Sequence, residues 1–424
     1  MKSILKLTIF SISLFLLGCS KEPTFNFSFP IHEANYELKI GFATDLHYLA
    51  PSLTDNGAPF INLLKKGDGK IIHFSEEILD SLISNAKENH LDYLIIPGDL
   101  TYNGEKESHL NLAKKLNKLE KSGIKVLLIP GNHDIDSYFS YSFSGNEGTK
   151  VENISYQDFK DIYSEFGYSD AIIKDENSFS YIYPLKENLY AIFLDTNAEG
   201  AENKLKAKTL KWLESSLEAL GSESNYISIT HQNLTAHNKN FIEGFIIQNS
   251  EDILKIYEKY NVKLNLTGHI HIQHISKSDN LNEISTGALA SYPHSFAKIN
   301  IDSSNNLSYS SESLPIKTKD MDFEEFKSYS KGFFYETTYK KSFSKLDEID
   351  NITTKEKEFM ADFSSLVNIG YFSGDLYKSI EDLKLHKGYS LWNDKAKTNF
   401  FNSYLNSVFE EKAIDNTKFE INLN

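Results

Sequence analysis

The tightest constraint on how this chain folds is an apolar run that stops abruptly at a carboxylate, Tyr93-Leu94-Ile95-Ile96-Pro97-Gly98-Asp99-Leu100. Consecutive apolar residues without helical spacing, closed by Pro-Gly, read as a buried strand of a parallel sheet with Asp99 at its carboxyl end. In open α/β sheets ligands gather at that end. Other strand-like runs finish the same way. Leu38 to Thr44 runs into Asp45-Leu46-His47, and Lys125 to Pro130 into Gly131-Asn132-His133-Asp134. Tyr226 to Thr230 runs into His231, and Leu264 to Thr267 into Gly268-His269-Ile270-His271. Each piece alone reads as a turn residue or a helix cap. Five in order, each after an apolar run, bring Asp, Asn and His side chains to one rim.

Between these runs the pattern alternates. Ser75 to Lys87 carries Ile78, Leu79, Leu82 and Ile83 on one helical face, and Leu110, Ala113, Leu116 and Leu119 line a second helix ending near Gly123. Strand, helix and strand in succession are the βαβ signature. Tyr156 to Phe166, Leu205 to Leu220 and Ile253 to Tyr260 read as further helices; Phe179 to Tyr183 and Tyr190 to Leu194 as paired strands; Glu283 to Thr286, Lys298 to Asp302 and Leu307 to Ser313 as short closing strands. Two long segments lack a regular pattern, Leu49 to His73 and Ile135 to Ser155. Loops of that length inside compact domains tend to be functional. The second, with Tyr138, Phe139, Tyr141 and Phe143, reads equally as a loop packing its own aromatics or as a pocket wall. A chain of 424 residues exceeds what one core usually holds. The expected division is a catalytic unit over 38–314 and a helical domain over 315–424, where aromatic residues recur at spacings of three and four.

The first residues differ in kind. Lys2 and Lys6 precede an almost wholly apolar Leu7 to Leu17, then Gly18-Cys19. That run is too short for a membrane-spanning helix of about 20 residues and fits a secretory leader. Leu16-Leu17-Gly18-Cys19 looks like a bacterial lipobox, which implies removal of residues 1–18, a lipid on Cys19, a tether over 19–37 and an extracytoplasmic, membrane-anchored protein. Cys19 is the only cysteine, so no intramolecular disulfide forms and any metal site in the folded unit uses nitrogen and oxygen. Net charge is −15, and removing Lys2 and Lys6 takes it to −17, which disfavours duplex nucleic acid as a partner. All 44 basic residues are lysine. With no arginine fork, phosphate must be held by metals, histidines, amides and point-charge lysines.

The ordered series Asp-x-His, Gly-Asp, Gly-Asn-His-Asp, His and Gly-His-x-His resembles the calcineurin-like metallophosphoesterase superfamily over about Leu38 to Ser313. The resemblance implies an α/β fold: a four-layer sandwich of two mixed β-sheets flanked by helices, here with a C-terminal helical domain. It also implies two divalent metal ions, manganese, iron or zinc. Asp45, His47 and His271 hold one, Asn132, His231 and His269 the other, and Asp99 bridges both. His269 and His271, two apart, send their rings to one side of an extended chain, and Gly268 lets that backbone come close. His133 is the implied general acid, with Asp134 accepting from its other ring nitrogen.

Some residues stay outside that pattern. Tyr102 sits where purple acid phosphatases carry a metal-binding tyrosine, but the His47 those enzymes lack is present, so Tyr102 is expected to line a pocket or to pack. Asp195 has no ligand slot and is expected to support or form an Asx-turn. Gln232, Asn233, His237 and Asn103 are candidates to face substrate. The long first insertion and the lipobox resemble class III cyclic nucleotide phosphodiesterases and their bacterial lipoprotein relatives. The expected activity is therefore hydrolysis of a small phosphodiester, with a metal-bridging hydroxide as nucleophile. A broad phosphomonoesterase and a non-catalytic metal-binding lipoprotein are the alternatives.

Overall fold

The computed structural model describes residues 31–411 and 414–424. The expected leader, Cys19 and the tether as far as residue 30 lie outside them. Two sheets form the centre. In the first, β1 (Leu38–Phe42), β2 (Tyr93–Pro97) and β3 (Lys125–Ile129) run parallel. Every residue of β2 and β3 is buried, as a sheet covered on both faces requires. Even Lys125 is tolerated, because its Nζ is met by Glu120 at 3.0 Å, Asp170 at 2.9 Å and the Glu165 carbonyl at 2.7 Å. The hairpin β13 (Ser295–Ile301) and β14 (Asn306–Ser313) continues this sheet antiparallel from β1.

The second sheet runs in the order β11 (His274–Ser278), β12 (Leu281–Ser285), β10 (Leu264–Thr267), β9 (Asn225–Thr230), β8 (Leu189–Leu194), β7 (Tyr181–Lys186), β6 (Ile173–Lys174). Its four central strands are parallel, its edges antiparallel. The sheets face each other over one apolar core shared by Leu94, Ile96, Leu128, Phe193, Ile229 and Leu266. Two tyrosines cross that layer. Tyr93 donates to the Leu185 carbonyl and Tyr181 to the Leu128 carbonyl, both at 3.0 Å.

Helices cover the outside, giving the expected four layers. The apolar faces of α2 (Ser75–Glu88) and α3 (Lys106–Glu120) join the main core, and a short α4 (Tyr156–Tyr163) follows. Leu213 and Leu217 of α5 (Ala207–Leu220) and Ile253 and Tyr257 of α6 (Ser250–Lys259) cover the second sheet. The segment without apolar periodicity does hold one helix, α1 (Ala58–Leu64), and the later loop holds a minimal hairpin, β4 (Tyr141–Ser142) with β5 (Thr149–Lys150). Strand β11 also escapes sequence reading, because His-Ile-Ser-Lys-Ser is a half-exposed edge with little apolar signal.

Beyond the sheets, α7 (Phe323–Leu346) and α8 (Thr354–Phe372) begin in capping boxes, Asp322 with Glu325 and Thr353 with Glu356. With α9 (Ile380–Leu385), α10 (Lys387–Lys395) and α11 (Phe400–Glu410) they form a second core around Phe363, Val367, Trp392 and Leu405. Ile270 and Ile272, from the His269–His271 segment, are buried in that same core. An all-helical segment from 315 to 424 is the one expectation corrected here. The chain returns as β15 (Lys418–Asn422), which pairs antiparallel with β14 and completes the first sheet.

His294 ties the two units. It is buried, with Nδ1 on the Leu289 carbonyl at 2.8 Å and Nε2 on the α7 Ser330 hydroxyl at 2.6 Å, and burial lowers its pKa to about 4. The neutral ring is the form that fits, so its stability contribution is present above about pH 6.5 and lost as pH falls toward 4. A shift of this size corresponds to about 3 kcal/mol. Melting temperature followed from pH 7 to 4 is expected to fall less steeply in His294→Asn than in the wild type.

Candidate metal centre

The five strand ends converge, and unusual backbone makes them do so. Asp45, His47, Asp99, His269 and His271 have φ of 55°, 41°, 48°, 68° and 60°, the left-handed region. That conformation costs a non-glycine residue about 1–2 kcal/mol, and Asp and His adopt it more readily than most. Here it is imposed by backbone pairing between the loops after β1 and β2, where Asp45 N–H donates to the Gly98 carbonyl, His47 to Asp99 at 2.9 Å and Tyr48 to Leu100 at 3.0 Å. Two glycines permit the close approach. A Cβ on Gly131 would overlap the Asp99 backbone nitrogen, and one on Gly268 would overlap the Thr44 hydroxyl. The His269–His271 chain is therefore not extended as expected. Its turns send the two rings to separate clusters.

Those clusters share Asp99. Asp45, His47, Asp99 and His271 offer donor atoms all within 4.8 Å of one another, and so do Asp99, His231 and His269. In the first, His47 Nε2 is 3.3 Å from His271 Nε2, which is 3.4 Å from Asp45 Oδ1. In the second, Asn132 Oδ1 lies 3.1 Å from His231 Nε2. Asp99, 1 % exposed, divides its oxygens between them, Oδ1 3.3 Å from His231 Nε2 and Oδ2 3.6 Å from His47 Nε2. The other ring nitrogens are pinned by the fold. His231 Nδ1 sits on the Pro97 carbonyl at 2.8 Å and His269 Nε2 on Gly244 at 3.0 Å, leaving His231 Nε2 and His269 Nδ1 free. Such outer hydrogen bonds fix which nitrogen binds.

This donor set fits divalent cations. Asp45 Oδ2 accepts the Thr44 hydroxyl and the His269 amide, but the buried Oδ1 has no hydrogen-bond donor. Two buried carboxylates among imidazoles call for positive charge. The structure supplies it in two makeshift ways. Burial lowers the His231 pKa, yet Asp99 beside it outweighs burial and raises it to about 9. The Lys70 ammonium meanwhile lies 3.4 Å from His47 Nε2. Burial and the neighbouring His231 depress His269 to about 4, so that ring is the neutral donor a metal needs.

Residues 38–273, more than half of the chain, match the family described as calcineurin-like phosphoesterase. The chain belongs to that family. Residues 315–415 match the C-terminal domain of cyclic nucleotide phosphodiesterase. A 3',5'-cyclic-nucleotide phosphodiesterase of Nostoc sp. is 29% identical over 183 residues, 43% of this chain and 56% of that protein. The match thus spans little more than half of that relative. A protein of Vesicomyosocius okutanii named "probable cyclic nucleotide phosphodiesterase" is 27% identical over 195 residues, 46% of this chain and 68% of its own length. A dimetal phosphatase from Danio rerio shares the fold, with a TM-score of 0.50 at 13% identity over 65% of this chain and 96% of that one.

Around the candidate metal positions of this calcineurin-like phosphoesterase, the expectations for Asp134, His237 and Asn233 are corrected, and Lys70 is added. Asp134 does not hold His133. It is turned inward and accepts from the Leu100, Thr101 and Gly131 amides, tying the loops after β2 and β3. His133 Nδ1 instead donates to Asn103 Oδ1 at 2.9 Å, which leaves Nε2 4.0 Å from Asp99 Oδ2. His237 is buried away from the site, between Glu283 at 3.1 Å and His274 at 3.0 Å. Lys70 was missed because the glycine-containing loop around it carries no motif. Gln232 is held by Thr196 and Asn197 and lines a cleft beside Asn132, whereas Asn233 is buried and pairs with Ile246 through its backbone. As expected, Tyr102 packs on Phe143, and Asp195 accepts from Tyr156, Phe179 and Asn197, the last as an Asx-turn. In the long loop, Phe143 stacks on Phe60 while Tyr138 and Phe139 line the cleft, so both readings of that segment apply.

Cation binding is expected to stabilise the fold. At a hundredfold excess over Kd the gain is about 2.7 kcal/mol. Manganese should raise the melting temperature of wild type after chelator treatment and leave Asp99→Ala unmoved. Asp99→Asn without metal should melt lower than metal-free wild type, because it removes the carboxylate that pairs with the protonated His231.

Proposed function

We propose that the protein hydrolyses phosphodiesters, with 3',5'-cyclic nucleotides as the class of substrate, and that Asp45, His47, His271, Asn132, His231, His269 and the shared Asp99 hold two divalent cations. The observation that carries this reading is the division of the Asp99 oxygens between two donor clusters. The preference for cyclic nucleotides rests on the named activity of the relatives and on the match at residues 315–415. Nitrogen and oxygen donors without thiolate suit manganese, iron or zinc. When bound, such cations lower the pKa of water and neutralise phosphoryl oxygens.

The chain's own groups supply the rest. His133, its side chain 34 % exposed at the rim, has Nδ1 committed to Asn103, so Nε2 is the atom that delivers a proton to the departing oxygen. Lys70 offers the point charge that an arginine-free chain needs beside the phosphoryl group. Salt-linked to Asp68 at 3.1 Å, it is held near His47. In this proposal the protein also sits outside the cytoplasm on a lipid at Cys19. Among the described residues no helix is long and apolar enough to cross a membrane.

With added manganese, the purified protein is expected to turn over bis-p-nitrophenyl phosphate and 3',5'-cyclic AMP faster than p-nitrophenyl phosphate; no turnover of either diester would sink the proposal. His133→Asn should keep its metal content and lose about 10²-fold or more in kcat on poor leaving groups. Lys70→Met should lower kcat/KM about tenfold at unchanged metal content, the scale of one charge-assisted contact. Cys19→Ser should move the protein from the membrane fraction to the soluble one.

A further inference from the structure

Two hollows open on His269 and Asn132, and their linings differ in kind. The broader, about 1280 Å³, carries Asp136, Glu199, Glu202, Glu243, Glu251 and Asp252, with no lysine among the described residues lining it. Six carboxylates repel a phosphate or a nucleic-acid strand, so that side is a poor seat for an anionic group. The smaller hollow, about 460 Å³, is reached by Asp99, His133 and His271 and lies against the C-terminal helices. Its walls are aromatic. Phe241 and Phe245 come from the loop after His231, Phe372 from α8, and Phe401 and Tyr404 from α11. Its volume falls within the range of sites for small organic ligands.

One polar group in this wall lacks a partner. Asn368 of α8 is 8 % exposed and lines the hollow. Its Oδ1 accepts the Tyr404 hydroxyl at 2.9 Å, which fixes the orientation of the amide. The Nδ2 group then donates to no acceptor among the described residues. That leaves the Nδ2 donor available to an acceptor that enters the hollow. Lys341 of α7, also lining the hollow, makes no ion pair among the described residues and stands with Lys70 opposite the carboxylates of Asp68 and Asp99.

We propose that the C-terminal helices read the nucleobase of the substrate. The phosphate rests at Asp99 and His133, the base lies flat among Phe245, Phe401 and Tyr404, and a ring-nitrogen or carbonyl acceptor of the base takes the Asn368 Nδ2 proton. Aromatic faces bind any base by stacking, and the single fixed donor supplies orientation. This assignment rests on the phosphodiesterase reading for the phosphate but not for the base, which allows the two to be tested apart.

Adenosine, which has the base and sugar without the phosphate, is the probe. Calorimetric titration into the full chain is expected to give saturable binding in wild type. Asn368→Asp, nearly isosteric but presenting an acceptor in place of the donor, should weaken it about tenfold, and Phe245→Ala should weaken it as well. Phe245 lies in a loop of the catalytic unit, so this variant reads the pocket even if the Asn368 variant does not fold. In kinetics, the ratio of kcat/KM for 3',5'-cyclic AMP to that for bis-p-nitrophenyl phosphate should fall about tenfold in both variants. Absence of adenosine binding to wild type, or binding unchanged in both variants, overturns the base pocket and leaves diester hydrolysis standing. Adenosine binding with those losses, in a protein that cleaves no diester, supports the pocket and overturns the hydrolase reading instead.

Discussion

The Asp99 carboxylate is the constraint around which the structure is arranged. It is buried with Asp45 among four imidazoles, and burying an uncompensated carboxylate is costly. Its oxygens point to different clusters, and the His133 amide donates to it at 3.0 Å. Two buried carboxylates call for positive charge at this spot, and the buried Asp45 Oδ1, which accepts no hydrogen bond, marks one place for it. The left-handed backbone at five ligand positions is the conformational cost of aiming so many side chains at so small a volume. It is sustained by hydrogen bonds between neighbouring loops and by glycines whose side chains would not fit.

The second unit is bound into this arrangement rather than appended to it. In Gly268-His269-Ile270-His271-Ile272 each histidine joins one of the two candidate ligand clusters while the isoleucines are buried in the helical core with Phe363 and Trp392. Packing of the C-terminal helices therefore fixes the loop that supplies one ligand to each cluster. A buried polar chain repeats the link. Glu283 meets His237 at 3.1 Å, His237 meets His274 at 3.0 Å, and His274 meets Glu411, just after α11, at 3.0 Å. Glu283 also accepts the Leu234 and Thr235 amides, which steadies the loop that follows His231.

The parallel strands and the ligand series were legible because each is local: an apolar run, a glycine or proline, then a donor side chain. Features that depend on a distant partner were not. Asp134 follows His133 in sequence, yet its carboxylate satisfies amides of the β2 loop, and Asn103, 30 residues away, takes the histidine. Lys70 follows Gly67 and Gly69 in a segment with no apolar periodicity, and its importance comes only from proximity to His47. The return of Lys418–Asn422 to the first sheet was hidden because a five-residue edge strand after five helices carries no mark of which sheet it joins.

The ordered motifs, through their resemblance to a known family, supplied the fold class and seven candidate ligands, and a single cysteine at position 19 implied nitrogen and oxygen donors for the centre. Tertiary structure alone decided which ring nitrogen each histidine offers, which partner holds His133, and that an aromatic hollow with an unpaired amide lies between the two units. Those depend on distances between residues from some 25 to more than 100 positions apart, and the spacing of letters along a chain does not encode them.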